Sequence, residues 1–75
     1  MKAKRNRRNK KHPEYYAIKP YQKLKKLSDE DVAAHLGITK RTYNDKINGY
    51  SDFTNSQGEK LAEILGKSQS EIFLI

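Results

Sequence analysis

The stretch SDEDVAAHLGITKRTYNDKING, residues 28–49, decides the fold of this chain. Ser28 is a good helix N-cap, and the three carboxylates that follow it lie where the helix dipole favours negative charge. Gly37 supplies the left-handed residue that commonly ends a helix. The pattern therefore predicts a helix over 29–36.

A second helix is predicted after a short turn. Thr39 is placed to cap it and Gly49 to end it, which gives a helix over 40–48. The turn between the two helices has three residues and begins with glycine, which is the spacing of a helix-turn-helix. Because many helical hairpins share this spacing, the packing residues must support the assignment.

The apolar residues of the two helices predict how they pack. Ala33 is small and lies where helices joined by so short a turn approach closely. Tyr43 and Ile47, four residues apart, form one stripe along the rear of the second helix. The predicted core of the motif is Val32, Ala33, Leu36, Gly37, Ile38, Tyr43 and Ile47. A helix held by this stripe presents its N-terminal turn outward.

The segment before the motif predicts a first helix over about 20–26. Pro20 restricts where this helix begins, since proline is tolerated only in the first turn. Its predicted inward side consists of Ile18, Tyr21, Leu24 and Leu27, and its lysines are predicted to face solvent.

Two capping-box patterns after the motif predict two further helices. They begin at Thr54 and Ser68, and Gly66 ends the longer helix. The sequence contains no convincing strand and no internal repeat. The predicted fold is therefore all-α, a compact five-helix bundle.

Length and composition exclude many protein classes. The chain has 75 residues, 35% of them hydrophobic, and no cysteine, which predicts one small domain without disulfides or thiolate metal sites. A membrane span needs about 20 apolar residues, and no apolar run in this sequence is nearly that long. We therefore expect a cytoplasmic protein, located at the nucleoid of a bacterium or in the cytoplasm of a host cell. No catalytic set, phosphate loop or metal spacing is present, and His35 is interpreted as a surface histidine. We therefore expect no enzyme activity, no cofactor, no small-molecule substrate and no metal.

Residues 1–12 form a strongly basic arm. They contain seven Lys or Arg and no acid, whereas the rest of the chain has nine basic and nine acidic residues. The arm therefore carries the whole net charge of +7, and we expect it to be disordered, with a domain over 13–75. It is either a solubilising tail or a polycation that neutralises phosphates. The arm by itself does not separate DNA from RNA or an acidic membrane surface.

The outward turn of the second helix carries side chains suited to base edges. Lys40 and Arg41 can reach guanine acceptors, and Asn44 has the paired donor and acceptor that suits adenine. The alternative interpretation is an ordinary solvated helix face. Asp45 could also pair with Arg41 at i,i+4, which is worth only about 0.2–0.5 kcal/mol.

The segments AAHLGITKRTY, KINGYSDFT and KLAEILG carry a resemblance. Residues 18–73 resemble the five-helix, lambda-repressor-like DNA-binding domain of the Xre/Cro/phage-repressor superfamily, in particular its small phage and mobile-element regulators. The resemblance implies a transcription regulator that places the helix 40–48 in the major groove of double-stranded DNA. The implied base contacts are Lys40, Arg41, Asn44 and Asp45. The implied phosphate contacts are Thr39, Thr42, Lys46 and Asn48, with Lys2, Lys4, Arg5, Arg7, Arg8, Lys10 and Lys11 of the arm on phosphates or in the minor groove.

The sequence departs from the pattern of this superfamily at two positions. Asp29 stands where many relatives have a glutamine that contacts phosphate, and a carboxylate there is repulsive. Lys46 stands at a position that is usually apolar. Both departures suggest that the arm supplies much of the affinity for DNA.

Two other functions remain open at this point. The first is a protein-interaction module of the same fold, antirepressor-like, which would bind a partner repressor. The acidic run 29–31 favours it, as does the apolar C-terminus Phe73, Leu74 and Ile75, which could equally form a homodimer seam or pack on the core. The second is an RNA-binding protein whose arginine-rich arm folds on RNA.

Overall fold

Five helices follow one another in residues 10–74, the part of the chain that the computed structural model describes. They are α1 (Ile18–Leu24), α2 (Asp29–Leu36), α3 (Lys40–Asn48), α4 (Asn55–Leu65) and α5 (Gln69–Ile72). No strand occurs within these residues. The predicted all-α, five-helix architecture is confirmed.

The predicted caps set the helix boundaries. The Ser28 hydroxyl accepts a hydrogen bond from the backbone N–H of Asp31, whose carboxylate accepts one from the N–H of Ser28, both at 3.1 Å. Reciprocal pairs of the same kind open α4 and α5. Gly37 ends α2 with a φ of 75°. Local capping therefore explains why α2 and α3 begin and end at the predicted residues.

The hydrophobic core lies between α2, α3 and α4, with α1 and α5 closing its sides. Tyr43 and Ile47 are buried on the rear of α3, against Ala33 and Leu36 of α2, as predicted. The core is completed by Ile18, Val32, Leu61, Ala62, Leu65 and Ile72. Within the predicted motif core, Ile38 is half-buried and Gly37 is exposed, because both lie in the turn. The rear stripe fixes α3 and leaves its other side outward.

The first helix differs from its prediction. It covers Ile18–Leu24 rather than 20–26, and Pro20 lies in its first turn, where a missing N–H leaves no helical bond unmade. Leu24, predicted to face inward, is 77% exposed. At about 100° per residue it lies about 120° around the helix from Ile18, whereas Gln22 returns to the buried side.

The C-terminal residues divide between core and surface. Ile72 is fully buried, and the ring of Phe73 packs against Tyr15 and Phe53 at centroid distances of 4.9 and 5.5 Å. Leu74 is 48% exposed. Ile75 lies outside the described residues.

The end of the basic arm contacts the body of the domain. The backbone N–H groups of Lys11 and His12 donate to the carbonyl oxygen of Gly49 at 2.6 and 3.3 Å. The N–H of Tyr15 donates to the carbonyl of Ile47 at 3.0 Å. Residues 11 and 12, which the sequence assigns to the arm, thus contact the C-terminal end of α3. The arm positions Lys2, Lys4, Arg5, Arg7 and Arg8 lie outside the described residues.

Within residues 10–74, no helix has the length and apolar character needed to span a membrane.

Candidate nucleic-acid interface

The first turn of α3, which carries Lys40, Arg41 and Thr42, forms an outward-facing platform. Thr39 caps the helix: its hydroxyl accepts a hydrogen bond from the N–H of Thr42 at 3.1 Å and donates one to the Thr42 hydroxyl at 2.9 Å. The rear stripe holds the same helix against α2. The direction in which this turn points is therefore set by the core and the cap together.

Two of the predicted base contacts lie on this platform. Lys40 and Arg41 are both exposed, and no ion pair engages either of them within the described residues. Their side chains are consequently available to an anionic or hydrogen-bonding partner. This arrangement agrees with the prediction that the start of α3 faces outward.

The structure does not group Asn44 with these two residues. Its amide Nδ2 donates to the carbonyl of Lys40 at 3.0 Å and to Asp29 Oδ2 at 3.3 Å. Its Oδ1 accepts from Lys19 Nζ at 2.8 Å. Because both ends of the amide are engaged within the protein, Asn44 belongs to the α1–α2–α3 seam rather than to the outward platform.

Lys46 is likewise turned away from the predicted interface. It is buried, and its ammonium donates to the carbonyl oxygen of Asp52 at 2.7 Å. Its aliphatic stem fills an inward position while the charged end reaches a polar atom at the edge of the core. The expected phosphate contact of Lys46 finds no support in this arrangement, in which the residue links α3 to the following loop.

The remaining predicted contacts on α3 are less exposed than Lys40 and Arg41. Thr42, Asp45 and Asn48 are half-buried. The backbone carbonyl of Asp45 accepts from the N–H groups of Gly49 and Tyr50, at 3.1 and 2.9 Å, as the helix ends. These residues continue the surface from the first turn towards the end of α3.

Asp29 is enclosed in a set of hydrogen bonds that the sequence did not reveal. Its carboxylate accepts from Gln22 Nε2 at 2.8 Å, from Lys19 Nζ at 3.0 Å and from Asn44 Nδ2 at 3.3 Å. Burial opposes ionisation of this group, but the hydrogen bonds from Gln22, Lys19 and Asn44 outweigh it and lower the pKa of Asp29. The negative charge of this carboxylate is thus compensated by hydrogen-bond donors within the protein.

Lys19 and Gln22 are the members of this set that sequence reasoning missed. The sequence places Lys19 among the solvent-facing lysines of α1 and predicts no role for Gln22. The available signal was spacing, because Gln22 follows the buried Ile18 by four residues and so shares its side of the helix.

The last residues of the arm lie at the opposite end of α3. The ammonium of Lys10 lies 5.5 Å from the ring centroid of Tyr50, which follows Gly49. His12 stacks on Tyr15 at 4.1 Å, and its Nε2 is 3.0 Å from the carbonyl oxygen of Ser51. Lys11 is exposed beside them. Residues 10–12 of the arm therefore lie at the C-terminal end of α3.

No cluster of three or more His, Cys, Asp or Glu that could hold a metal ion occurs among residues 10–74. His35 is exposed, as the sequence predicted.

The fold contains a helix-turn-helix. Helix α2 is followed by a three-residue turn and by α3, whose rear stripe is buried in the core. The model of the helix-turn-helix family matches residues 22–72, more than half of the chain. The chain therefore belongs to this family, in its Cro/C1 type, which is a family of DNA-binding regulators and not typically of enzymes. The match begins within α1 and ends with α5. No curated protein matches the chain.

Proposed function

We propose that this protein is a sequence-specific transcriptional regulator that binds double-stranded DNA with α3 in the major groove. The observation that carries the proposal is the exposed pair Lys40 and Arg41 on a helix whose rear stripe is buried. Arg and Lys are the side chains that most often read guanine in the major groove. We place the protein in the cytoplasm of a bacterium or of the host cell.

The proposed contacts differ in part from the set that the sequence suggested. Lys40 and Arg41 read base edges, with Asp45 further along the same helix. The hydroxyls of Thr39 and Thr42 and the side chain of Asn48 approach phosphates on either side. Asn44 and Lys46 act inside the protein, since their polar atoms bond to other protein groups.

The basic arm supplies affinity that is independent of sequence. Lys10 and Lys11 lie near the C-terminal end of α3, and five more cations precede them: Lys2, Lys4, Arg5, Arg7 and Arg8. Cations that neutralise phosphates release counterions, so binding weakens steeply with salt. We propose that the arm follows phosphates or the minor groove beside the major groove that α3 occupies.

Selection of bound sequences from a random duplex pool tests this function. We expect one enriched motif, and we expect the double variant Lys40→Ala, Arg41→Ala to lose the preference at one to two base pairs while still binding DNA weakly. Lys60→Ala is the matched control, because Lys60 is an exposed lysine on α4. A motif that the double variant selects unchanged would contradict groove reading by α3.

A protein-interaction module is the second candidate function, through a homodimer or a partner repressor. The specific observation is Leu74, which is 48% exposed beside the half-buried Phe73. Sedimentation equilibrium of the wild type and of Leu74→Ser tests it. A wild type that self-associates through Leu74 and selects no DNA motif would favour this candidate over the first.

A further inference from the structure

The ammonium of Lys19 lies at the seam where α1, α2 and α3 meet. It donates to Asp29 Oδ2 at 3.0 Å and to Asn44 Oδ1 at 2.8 Å. Asp29 is the first residue of α2, and Asn44 lies one turn after the exposed start of α3. The lysine is thereby held beside the exposed start of α3, which faces DNA in the proposed function.

The same ammonium keeps donor capacity for an outside partner. A lysine carries three N–H donors, and two are used here. The side chain of Lys19 is 41% exposed, whereas that of Asp29 is 22% exposed. The cation is therefore the more accessible member of the pair.

An open cleft lies beside this seam, between α1 and the start of α2. It measures about 530 Å³, and Lys19, Lys23 and Asp29 are among its lining residues. The negative charge of Asp29 is shared among donors from three side chains. The cleft is thus lined by two lysines and by one carboxylate whose charge is compensated by hydrogen bonds.

We infer that Lys19 contacts a DNA phosphate, and that Asp29 is a positioning residue that holds the lysine at the α2–α3 seam. This inference rests on the proposed function. It reverses the expectation from charge alone, by which Asp29 would only repel DNA. Asp29 instead fixes a long, otherwise flexible cation in place, so less conformational entropy is lost when it meets phosphate.

The salt dependence of duplex binding tests the role of Lys19. Replacing one phosphate-neutralising cation is expected to reduce the slope of log K against log salt by about 0.9. We expect this reduction for Lys19→Met, and no reduction for Lys60→Met, which removes an exposed lysine of α4. The measurement uses the full chain and a random-sequence duplex at several salt concentrations.

The role of Asp29 is tested by the sign of the effect. Electrostatics alone predicts that Asp29→Ala strengthens binding, because a negative charge near DNA is removed. The positioning role predicts weaker binding for Asp29→Ala, and no further weakening by that change in the Lys19→Met background. Asp29→Asn, which keeps an oxygen acceptor for Lys19, is expected to restore part of the loss. Circular dichroism and thermal melting of each variant verify that it is folded.

Each outcome decides a different claim. Wild type that binds no duplex overturns the proposed function, and this inference with it. Wild-type binding with an unchanged slope in Lys19→Met overturns the inference alone, leaving Lys19 and Asp29 as an internal ion pair. Tighter binding by Asp29→Ala overturns the positioning role.

Discussion

The hydroxyl of Tyr43 on α3 donates a hydrogen bond to Oε1 of Gln22 on α1 inside the domain. Both residues are buried. Burial, with the nearby charge of Asp29, raises the pKa of Tyr43, so the phenol remains a donor across the physiological range. Gln22 extends this hydrogen-bond network to α2, because its amide nitrogen donates to the carboxylate of Asp29 and to the carbonyl of Leu27. Helix α3 is thus tied to α1 by polar bonds as well as by packing.

Removing the Tyr43 hydroxyl is expected to destabilise the protein. Tyr43→Phe keeps the ring in the core but leaves the buried Oε1 of Gln22 without its donor, which costs about 1–3 kcal/mol. Chemical denaturation measures the change, and Tyr16→Phe at an exposed tyrosine is the control. Equal stability of Tyr43→Phe and wild type would show that the hydrogen bond contributes little.

The helix boundaries have local causes, whereas the buried side of α1 has a tertiary cause. The boundaries of α2 and α3 were predictable because Ser28, Thr39 and the glycines act within a few residues of themselves. The inward side of α1 was not, because Gln22 is buried by partners on α2 and α3. Such partners are distant in sequence, so the residues next to Gln22 do not predict its burial.

The same distinction applies to the candidate site. The exposure of Lys40 and Arg41 was predictable from the turn and the rear stripe. Asn44 looks outward in the sequence, whereas Lys46 stands at a position that is usually apolar. Their polar partners, Asp29 and the carbonyl of Asp52, are brought close only by the fold. Sequence reasoning fails here for polar residues at buried or half-buried helix positions.

The corrected orientation of α1 makes a paired prediction. Leu24→Ser is expected to change the free energy of unfolding by no more than about 0.5 kcal/mol, because Leu24 is exposed. Ile18→Ala, six residues earlier and fully buried, is expected to cost about 2–5 kcal/mol. Thermal or urea denaturation of both variants decides the point. A large loss in Leu24→Ser would restore the orientation predicted from the sequence.

The network around Asp29 predicts a dependence of stability on pH. Its folded-state pKa lies below the ordinary value of 3.8, so ionised Asp29 stabilises the fold above that value. This contribution is lost as the pH falls through 3.8 and on through the lower folded pKa.

Asp29→Asn isolates this contribution. Hydrogen bonds from Ser28 and Ser68 at helix N-caps also lower the pKa of Asp31 and Glu71, and both groups titrate in wild type and variant alike. The difference between the two proteins therefore reports Asp29. We expect the stability gap between them to narrow as the pH falls below 3.8, measured by urea denaturation at each pH. A gap that stays constant would contradict the lowered pKa.

Gly49 joins the C-terminal end of α3 to residues 11 and 12 of the basic arm, and its replacement is expected to separate them. Its φ is +102°, and a Cβ at this position would collide with the carbonyl oxygen of His12. Gly37 provides the matched control, because its φ is +75° and a Cβ there would meet nothing within 4 Å. Both Gly→Ala changes carry the backbone strain of a left-handed residue, about 1–3 kcal/mol. Only Gly49→Ala should also displace residues 10–12.

Amide hydrogen exchange distinguishes these two effects. The N–H groups of Lys11 and Tyr15, which donate to Gly49 and Ile47, are expected to lose protection in Gly49→Ala and to keep it in Gly37→Ala. If the arm acts on DNA from this anchor, Gly49→Ala also weakens duplex binding more than Gly37→Ala at equal stability. Retained protection of Lys11 in Gly49→Ala would show that the arm does not depend on its contact with α3.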